Sequence, residues 1–292
     1  MVKILVTGGT GLLGNKIVSL HSKEYTITGT YNKTKPDFKN AVRLDIVNKK
    51  QFKIIEKIKP DIIIHTAGLT NVDYCEDHRK EAWKINVEGT KNIIDISKKI
   101  GNKIVFISTD YIFDGKNGPY EEEDEPNPIN WYGKTKLEGE NSLKSSGMEY
   151  YIIRTTVLYG WNKYNLNFVT WAINELKNGR KIRVVTDQYG SPTLADDIAE
   201  IILKLIMLNK QGVYNVVGVD LVNRYDFALE IAKIFDLNSE LIIPVTSEEL
   251  NQKAPRPKKG GLKIDKIKKE LNVRPIGIMD GLLRMKKQKM LE

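Results

Sequence analysis

The sequence predicts an α/β protein in which a Rossmann-like, doubly wound parallel sheet carries helices on both faces. Two observations support this fold class. Near-continuous isoleucine and valine runs alternate with longer amphipathic stretches through the first 155 residues, and the first run ends in a cluster of glycines. Such runs are typical of parallel strands buried on both faces, and their alternation with helices is typical of a doubly wound sheet.

The predicted elements of the first half follow in chain order. The strands cover residues 2–7, 25–30, 42–44, 61–65, 103–108 and 150–154. The helices cover residues 11–22, 49–59 and 81–100, and one more helix precedes the last strand. Apolar residues of the third helix recur at helical spacing, which indicates one buried face.

The second half is less regular and predicts a smaller, mostly C-terminal substrate-binding α/β lobe. We expect helices over residues 165–178, 195–208 and 225–235, a strand over 181–185, and loops where prolines cluster. The expected domains are an NAD(P)-binding Rossmann domain over residues 1–155 and a substrate-binding lobe over 156–292, with some lobe segments returning to the sheet. The acidic run 121–125 is expected to form a solvated loop.

Composition argues against several classes of protein. The 292 residues carry a net charge of +9, but the lysines are scattered among acidic residues, which predicts a basic solvated surface and no nucleic-acid partner. No apolar run reaches about 18 residues, so no membrane partner is expected. The single cysteine, Cys75, excludes an internal disulfide and any multi-cysteine metal site. Because the first residues also lack the pattern of a signal peptide, we expect a cytoplasmic protein.

A glycine-rich loop, Gly8-Gly9-Thr10-Gly11-Leu12-Leu13-Gly14, follows the first predicted strand. Glycines permit a tight turn and let backbone amides approach a pyrophosphate, whose charge then lies at a helix N-terminus. A glycine pattern alone is weak, but at the first strand–helix junction of an alternating chain it predicts a dinucleotide cofactor.

The residues after the second strand favour NADPH, with NADH as the alternative. An acidic residue about 20 positions beyond the glycine loop would bind the adenosine ribose of NAD. This chain has Asn32 and Lys33 there instead, and a basic corner tolerates the 2′-phosphate of NADP. We therefore place Lys33 near that phosphate, and Asp45, after the third strand, at the adenine edge.

Three side chains form a candidate catalytic group. Thr109 follows a strand at the edge of the sheet where ligands bind, and Tyr132 and Lys136 are four residues apart, so they share one face of a helix. We expect the ammonium of Lys136 to lower the tyrosine pKa and to hold the nicotinamide ribose. Tyr132 would protonate a developing alkoxide, and Thr109 would hydrogen-bond the same oxygen.

These segments make the chain similar to the dTDP-4-dehydrorhamnose reductase family, within the extended short-chain dehydrogenase/reductases. The matching segments are the glycine loop, Ala67-Gly68-Leu69-Thr70-Asn71-Val72-Asp73, Ile85-Asn86-Val87-Glu88-Gly89-Thr90, Ser108-Thr109-Asp110-Tyr111-Ile112-Phe113-Asp114-Gly115, Tyr132-Gly133-Lys134-Thr135-Lys136, Asp187-Gln188-Tyr189-Gly190-Ser191-Pro192-Thr193 and Arg256-Pro257. The resemblance covers almost the whole chain.

The resemblance implies that NAD(P)H reduces the C4 keto group of a dTDP-linked 4-keto-6-deoxy sugar, in the last step to dTDP-L-rhamnose. It implies cofactor contacts from Gly8, Gly11, Leu12, Leu13, Gly14, Asp45, Ile46, Gly68, Leu69 and Thr70, and sugar contacts from Thr109 and Asp110. For the nucleotide diphosphate we add Arg256, because a guanidinium fork suits phosphate, with a structural ion pair as the alternative.

Some features of the family stay open. Some members use Mg²⁺ at a dimer interface; this sequence has no matching acidic cluster, and we leave the metal and a homodimer undecided. Bacterial members often carry a substrate-contacting tryptophan soon after an Arg-Thr pair at this point of the chain. Here Val157 follows Arg154-Thr155-Thr156, and Trp161 comes four residues later.

Two other functions share part of the pattern. Nucleotide-sugar epimerases and dehydratases share the glycine loop and Tyr-x-x-x-Lys, but dehydratases typically add an acid pair beside the Ser/Thr, and here Tyr111 follows Thr109-Asp110. A non-catalytic NADP-binding regulatory subunit, resembling the methionine adenosyltransferase β subunit, shares Val72-Asp73 and Cys75-Glu76. The intact Thr109, Tyr132 and Lys136 argue against a loss of catalysis.

Overall fold

The computed structural model describes residues 1–20 and 22–290, in which a seven-stranded sheet is accompanied by three two-stranded sheets. In chain order, the strands are β1 (Val2–Thr7), β2 (Tyr25–Tyr31), β3 (Ala41–Arg43), β4 (Ile62–His65), β5 (Lys103–Thr109), β6 (Tyr150–Thr155), β7 (Leu158–Tyr159), β8 (Ile182–Val185), β9 (Tyr189–Gly190), β10 (Thr193–Leu194), β11 (Gly212–Asn215), β12 (Val222–Asn223) and β13 (Ile242–Val245).

Helices connect these strands. They are α1 (Leu12–Val18), α2 (Lys53–Ile58), α3 (Val72–Asp77), α4 (Arg79–Trp83), α5 (Gly89–Ile100), α6 (Trp131–Lys144), α7 (Phe168–Lys177), α8 (Ala195–Met207), α9 (Arg224–Ile234), α10 (Ser247–Leu250), α11 (Asp265–Leu271) and α12 (Ile278–Lys289). Short 3-10 helices cover Lys49–Phe52, Asp110–Ile112 and Ser239–Leu241, and a π-helical turn, Lys84–Glu88, joins α4 to α5.

The large sheet has the strand order β11-β6-β5-β4-β1-β2-β3, and every neighbouring pair is parallel. The chain proceeds outward from β1 through β2 to β3, and then returns to the other side of β1 to form β4. The strand order therefore reverses between β1 and β4, which opens a crevice beyond their carboxyl ends. This topology confirms the predicted doubly wound α/β fold.

Alternating burial explains why the strands form and why helices cover both faces. Ile4 and Val6 of β1 belong to a core cluster with α1 and α8, whereas Leu5 points to a second cluster with α2 and α5. In β4, Ile63 likewise joins the second cluster while its two neighbours join the first. Each such side chain contributes about 1.5–3 kcal/mol when it is fully buried.

The later elements divide between two places. One core cluster packs α7, α9 and α12 around β8 and β13, and Phe227 and Leu282 lie in it with no exposed surface. By contrast, β11 extends the edge of the large sheet beside β6, and Ile202 of α8 and Ile267 of α11 pack into the first cluster of that sheet. The second half of the chain thus supplies both a separate small core and part of the cover of the large sheet.

The structure differs from the sequence expectations in several elements. The long helix begins at Arg79 and contains the π-helical turn, and β11 and α12 were not predicted. The acidic run is a loop, but it is not uniformly solvated: Glu122 is buried and its Oε1 accepts from the Asn215 amide at 2.8 Å. Burial raises the pKa of this carboxyl.

None of the helices in the described part of the chain is both long and apolar enough to span a membrane.

Candidate active site

An open cleft of about 530 Å³ lies beyond the carboxyl ends of the central strands. Ligand pockets commonly measure about 300–1,000 Å³, so the cleft has the size of a small-molecule binding site. Most predicted site residues line it: Gly11, Leu12, Leu13, Gly14, Gly68, Leu69, Thr70, Thr109, Asp110, Tyr132 and Lys136. The structure thus brings together residues that are up to 125 positions apart in the chain.

The glycine loop forms one end of the cleft, and its backbone geometry requires glycine. Gly8 has a φ of +74°, and a Cβ there would lie 2.9 Å from the Ala67 backbone. A Cβ on Gly14 would overlap the Gly8 carbonyl oxygen. Gly11 caps α1 without a side-chain hydrogen bond, so the first-turn amides are free to donate to a ligand. These features fit a dinucleotide pyrophosphate.

A segment from the second half of the chain holds the glycine loop. Asn162 and Asn165 donate from their side-chain amides to the Thr10 carbonyl oxygen, at 3.5 and 3.4 Å. The Tyr164 hydroxyl donates to Asp37 at 2.8 Å, beyond β2. Residues 165–168 also line the cleft, although sequence analysis assigned none of them to the site.

Helix α6 places Tyr132 and Lys136 in the cleft. Asn130 caps the helix by accepting from the Gly133 amide at 2.8 Å. A Cβ on Gly133 would overlap the Tyr111 carbonyl oxygen, so only glycine lets α6 approach the 3-10 turn after β5 this closely. The four-residue spacing then directs both Tyr132 and Lys136 to the cleft, as predicted.

Lys136 is a buried cation next to a buried ion pair. Its side chain is only 9% exposed, and its Nζ lies 4.1 Å from the centre of the Phe106 ring. Burial lowers the pKa of Lys136 to about 8, and the charge of Glu140 acts against this shift. Glu140 in turn accepts from Arg154 Nε and Nη2 at 3.0 and 2.9 Å. Lys136 therefore remains mostly charged at neutral pH.

The expectation that Lys136 lowers the pKa of Tyr132 is wrong for this structure. Burial raises the pKa of the Tyr132 phenol, and a hydrogen bond with the Thr109 hydroxyl only partly opposes the shift. Desolvation of the phenolate is the largest effect on this pKa. The phenol therefore keeps its proton throughout the neutral range, which suits a proton donor.

Asn86 holds the loop after β4, whose residue Leu69 lines the cleft, although the sequence patterns gave Asn86 no role. Its Oδ1 accepts from the Leu69 amide at 2.7 Å, and its Nδ2 donates to the Leu69 carbonyl oxygen and to Thr135 Oγ1, both at 3.0 Å. Asn86 lies in the π-helical turn, a feature frequent at functional sites. It links the loop after β4 to α6.

Comparison with known proteins decides the family. The family model described as RmlD substrate binding domain matches residues 2–289. The chain belongs to the RmlD family. Its sequence is 34% identical over 289 residues to dTDP-4-dehydrorhamnose reductase from Aggregatibacter actinomycetemcomitans, covering 94% of this chain and 95% of that protein. The resemblance derived from the motifs is thereby confirmed.

Two further relatives of this RmlD-family chain are informative. The crystal structure of dTDP-4-dehydrorhamnose reductase from Bacillus anthracis str. Ames in complex with NADP has a TM-score of 0.89 and 34% identity, covering 99% of this chain and 100% of that one. Methionine adenosyltransferase 2 subunit beta from Xenopus tropicalis is 31% identical over 276 residues, covering 91% of this chain and 82% of that protein.

Five residues assigned to the cofactor in the RmlD-family chain lie outside the cleft lining: Gly8, Asn32, Lys33, Asp45 and Ile46. Asn32 and Lys33 are exposed just after β2. Asp45 Oδ1 accepts from the Val47 amide at 3.0 Å, and Ile46 is buried. Their roles toward the adenosine half of the cofactor stay predictions.

Arg256 lies outside the cleft lining and is bound to a carboxylate. Its guanidinium donates to the two carboxylate oxygens of Asp73 at 2.8 and 2.9 Å. Burial acts to raise the pKa of Asp73, but the hydrogen bonds from Arg256 and Ala254 hold it below its ordinary value. The ion pair that the sequence left as the alternative is thus present.

The cleft wall that follows β6 contains Val157, which has a φ of +47°. Trp161 takes no part in this wall: its indole Nε1 donates to the Met285 carbonyl oxygen at 2.8 Å, in the small core. The cleft instead contains a cation that sequence analysis missed, Arg224 at the start of α9. No local sequence signal separated it from the other arginines.

Proposed function

We propose that this protein is an NADPH-dependent reductase of the C4 keto group of a dTDP-linked 4-keto-6-deoxy sugar, which converts dTDP-4-dehydro-L-rhamnose to dTDP-L-rhamnose. One observation carries the proposal. Thr109, Tyr132 and Lys136 face one cleft with the glycine loop, in a chain of the RmlD family. The dTDP-4-dehydrorhamnose reductases among its relatives support the choice of substrate.

The cleft residues fit a bound NADPH. The free amides of α1 would hold the pyrophosphate, and Gly68, Leu69 and Thr70 would line the nicotinamide side. Lys136 would hold the nicotinamide ribose, and Lys33 the 2′-phosphate of the adenosine. When bound, NADPH supplies the hydride. The NADP complex of the Bacillus anthracis protein supports this cofactor.

The protein's own side chains manage the proton. The protonated phenol of Tyr132 would donate its hydrogen to the C4 oxygen of the sugar as negative charge develops there. Thr109 would donate a second hydrogen bond to the same oxygen. The Lys136 ammonium would stabilise the phenolate that remains, because an opposite charge favours the ionised form. Asp110, buried beside Thr109, would contact the sugar.

The decisive experiment follows NADPH absorbance with a panel of nucleotide-linked ketosugars. We expect turnover with dTDP-4-dehydro-L-rhamnose, and we expect Tyr132→Phe to lower kcat by about 10²–10⁴-fold, the usual contribution of general acid catalysis. Tyr150→Phe is the matched control, because Tyr150 begins β6 at the end opposite the cleft. Equal rates for wild type and Tyr132→Phe would refute the proposed role of the phenol.

The same preparation distinguishes the alternatives. Stoichiometric NAD retained by the purified protein would indicate an epimerase or dehydratase, because those enzymes regenerate their cofactor within the catalytic cycle. An absence of NADPH oxidation, combined with tight binding to a methionine adenosyltransferase catalytic subunit, would indicate the regulatory function of the 31% identical relatives. Either outcome would replace the reductase proposal.

Three further expectations belong to this proposal. The division into a cofactor domain over residues 1–155 and a substrate lobe over 156–292 is tested by whether the excised first segment binds NADPH. A homodimer is tested by sedimentation equilibrium, with and without Mg²⁺. A cytoplasmic location is tested by cell fractionation.

A further inference from the structure

Arg224 is an unpaired cation in the wall of the cleft. It is the first residue of α9, whose cap, Asn223, accepts from the Asp226 amide at 2.8 Å. Its guanidinium carbon lies 5.2 Å from the centre of the Phe168 ring. Within residues 1–20 and 22–290, no carboxylate forms an ion pair with it. The aromatic ring thus orients the guanidinium without neutralising it.

The other charged groups near the cleft are already engaged. Arg256 is bound by Asp73, and Lys136 lies deep over the Phe106 ring. Asp110 lies close enough to interact electrostatically with Arg224, but its carboxylate is held by Thr156 and by the Gly261 amide. No carboxylate in the described part of the chain binds Arg224, and beyond its hydrogen bond to the Tyr111 hydroxyl the guanidinium keeps further donors for an anionic ligand.

The position of Arg224 relative to the proton donor fits one part of the substrate. The Arg224 guanidinium donates a hydrogen bond to the Tyr111 hydroxyl, and its charge opposes the rise in the Tyr111 pKa that burial causes. The Tyr111 ring meets the Tyr132 ring edge-on, with centroids 6.0 Å apart. The Tyr111 side chain thus separates the Arg224 guanidinium from Tyr132. A sugar ring can bridge this separation, with its C4 oxygen at Tyr132 and its anomeric phosphate at Arg224.

We propose that Arg224, and not Arg256, binds the diphosphate of the nucleotide-linked substrate. The planar guanidinium donates two parallel hydrogen bonds to phosphate oxygens, which gives orientation as well as attraction. The Phe168 ring packs against the guanidinium, and the start of α9 adds a favourable helix dipole. This inference rests on the proposed function, because it takes the substrate to be a nucleoside diphosphate sugar.

The test measures nucleotide binding by calorimetry on the NADP⁺-saturated protein. We expect Arg224→Ala to weaken dTDP binding about 10- to 100-fold, the usual effect of losing charge-assisted hydrogen bonds. Arg224→Lys should lose less, because it keeps the charge but not the fork. Thymidine binding, followed by ligand-observed NMR, and NADP⁺ affinity should stay within about twofold of the wild-type values.

Arg183→Ala is the matched control, since it removes the same charge from β8, in the same lobe, at an exposed position outside the cleft. We expect it to bind dTDP like the wild type. Equal dTDP affinity for Arg224→Ala and wild type would overturn the inference. So would an equal loss for thymidine, or an equal loss in Arg183→Ala, because neither would depend on a phosphate contact at this site.

The binding test and the turnover test fail separately. If dTDP binding depends on Arg224 but no ketosugar oxidises NADPH, the proposed reduction is wrong and the diphosphate site stands. If UDP or GDP replaces dTDP with the same dependence, the nucleotide base is wrong and the site stands. If the ketosugar turns over while no nucleoside diphosphate depends on Arg224, the inference is wrong and the reductase stands.

Discussion

Replacing Gly133 by alanine tests whether close packing of α6 sets the catalytic geometry. The added Cβ would overlap the Tyr111 carbonyl oxygen and lie 2.9 Å from its carbonyl carbon, whereas carbon atoms normally pack about 3.5–4.0 Å apart. Because the overlap with the oxygen is closer than the contact with the carbon, either α6 or the 3-10 turn must move by about 1 Å or more. A displacement of about 1 Å can cost roughly 100-fold in rate, so we expect kcat to fall by that order.

Stability should change much less than activity. Overpacking lowers the free energy of unfolding by about 1–3 kcal/mol, whereas the higher helix propensity of alanine over glycine raises it by up to about 1 kcal/mol. We therefore expect the melting temperature to fall by only a few degrees. Lys134→Ala, at the next, exposed position of α6, should keep both activity and stability. A Gly133→Ala protein with wild-type kcat would refute the argument that this contact positions Tyr132 and Lys136.

Three more predictions follow from charges on or near the site. Because burial lowers the pKa of Lys136 to about 8, the side chain loses its charge as pH rises through that value. We therefore expect kcat/KM to fall about tenfold per pH unit above pH 8. A kcat/KM that stays constant up to pH 9.5 would contradict this role of the ammonium. Glu140→Gln leaves the buried Arg154 unpaired, so it should lower the free energy of unfolding by about 3–5 kcal/mol in urea denaturation. The control Glu138→Gln, which removes a more exposed ion pair on the same helix, should lower it by less than about 1 kcal/mol. Lys33→Glu should shift cofactor preference from NADPH toward NADH, measured as the ratio of kcat/KM values, while the exposed control Lys35→Glu should not.

Sequence alone predicted the elements whose apolar pattern is local. In β4, four consecutive buried residues include three isoleucines, and that density marks a strand without further context. The last strand of the sheet, β11, has the sequence Gly-Val-Tyr-Asn, and it becomes a strand by pairing with β6, which lies more than 50 residues earlier. Whether this segment forms a strand depends on a long-range contact with β6, and the local sequence pattern carries no information about that contact.

The same reasoning separates the two arginines. Arg256 follows a proline in a loop and matches a family motif, whereas Arg224 begins an ordinary helix, so the sequence favoured Arg256 as the phosphate ligand. The deciding fact is that Asp73, 183 positions earlier, occupies the guanidinium of Arg256. An ion pair over that separation is fixed by the fold and not by the neighbouring residues.

Burial shifts the two cleft-facing ionisable groups of α6, Tyr132 and Lys136, toward their neutral forms, and the size of each shift determines the chemistry. The pKa of Tyr132 rises from an already high value, so the phenol remains a proton donor at neutral pH. The pKa of Lys136 falls only to about 8, because Glu140 opposes the shift, so the ammonium remains charged there. A neutral phenol beside a cation favours reduction of a ketone, whereas oxidation of an alcohol would need the phenolate as base. The reverse reaction should therefore gain relative to reduction as pH rises, until the loss of the Lys136 charge slows both directions.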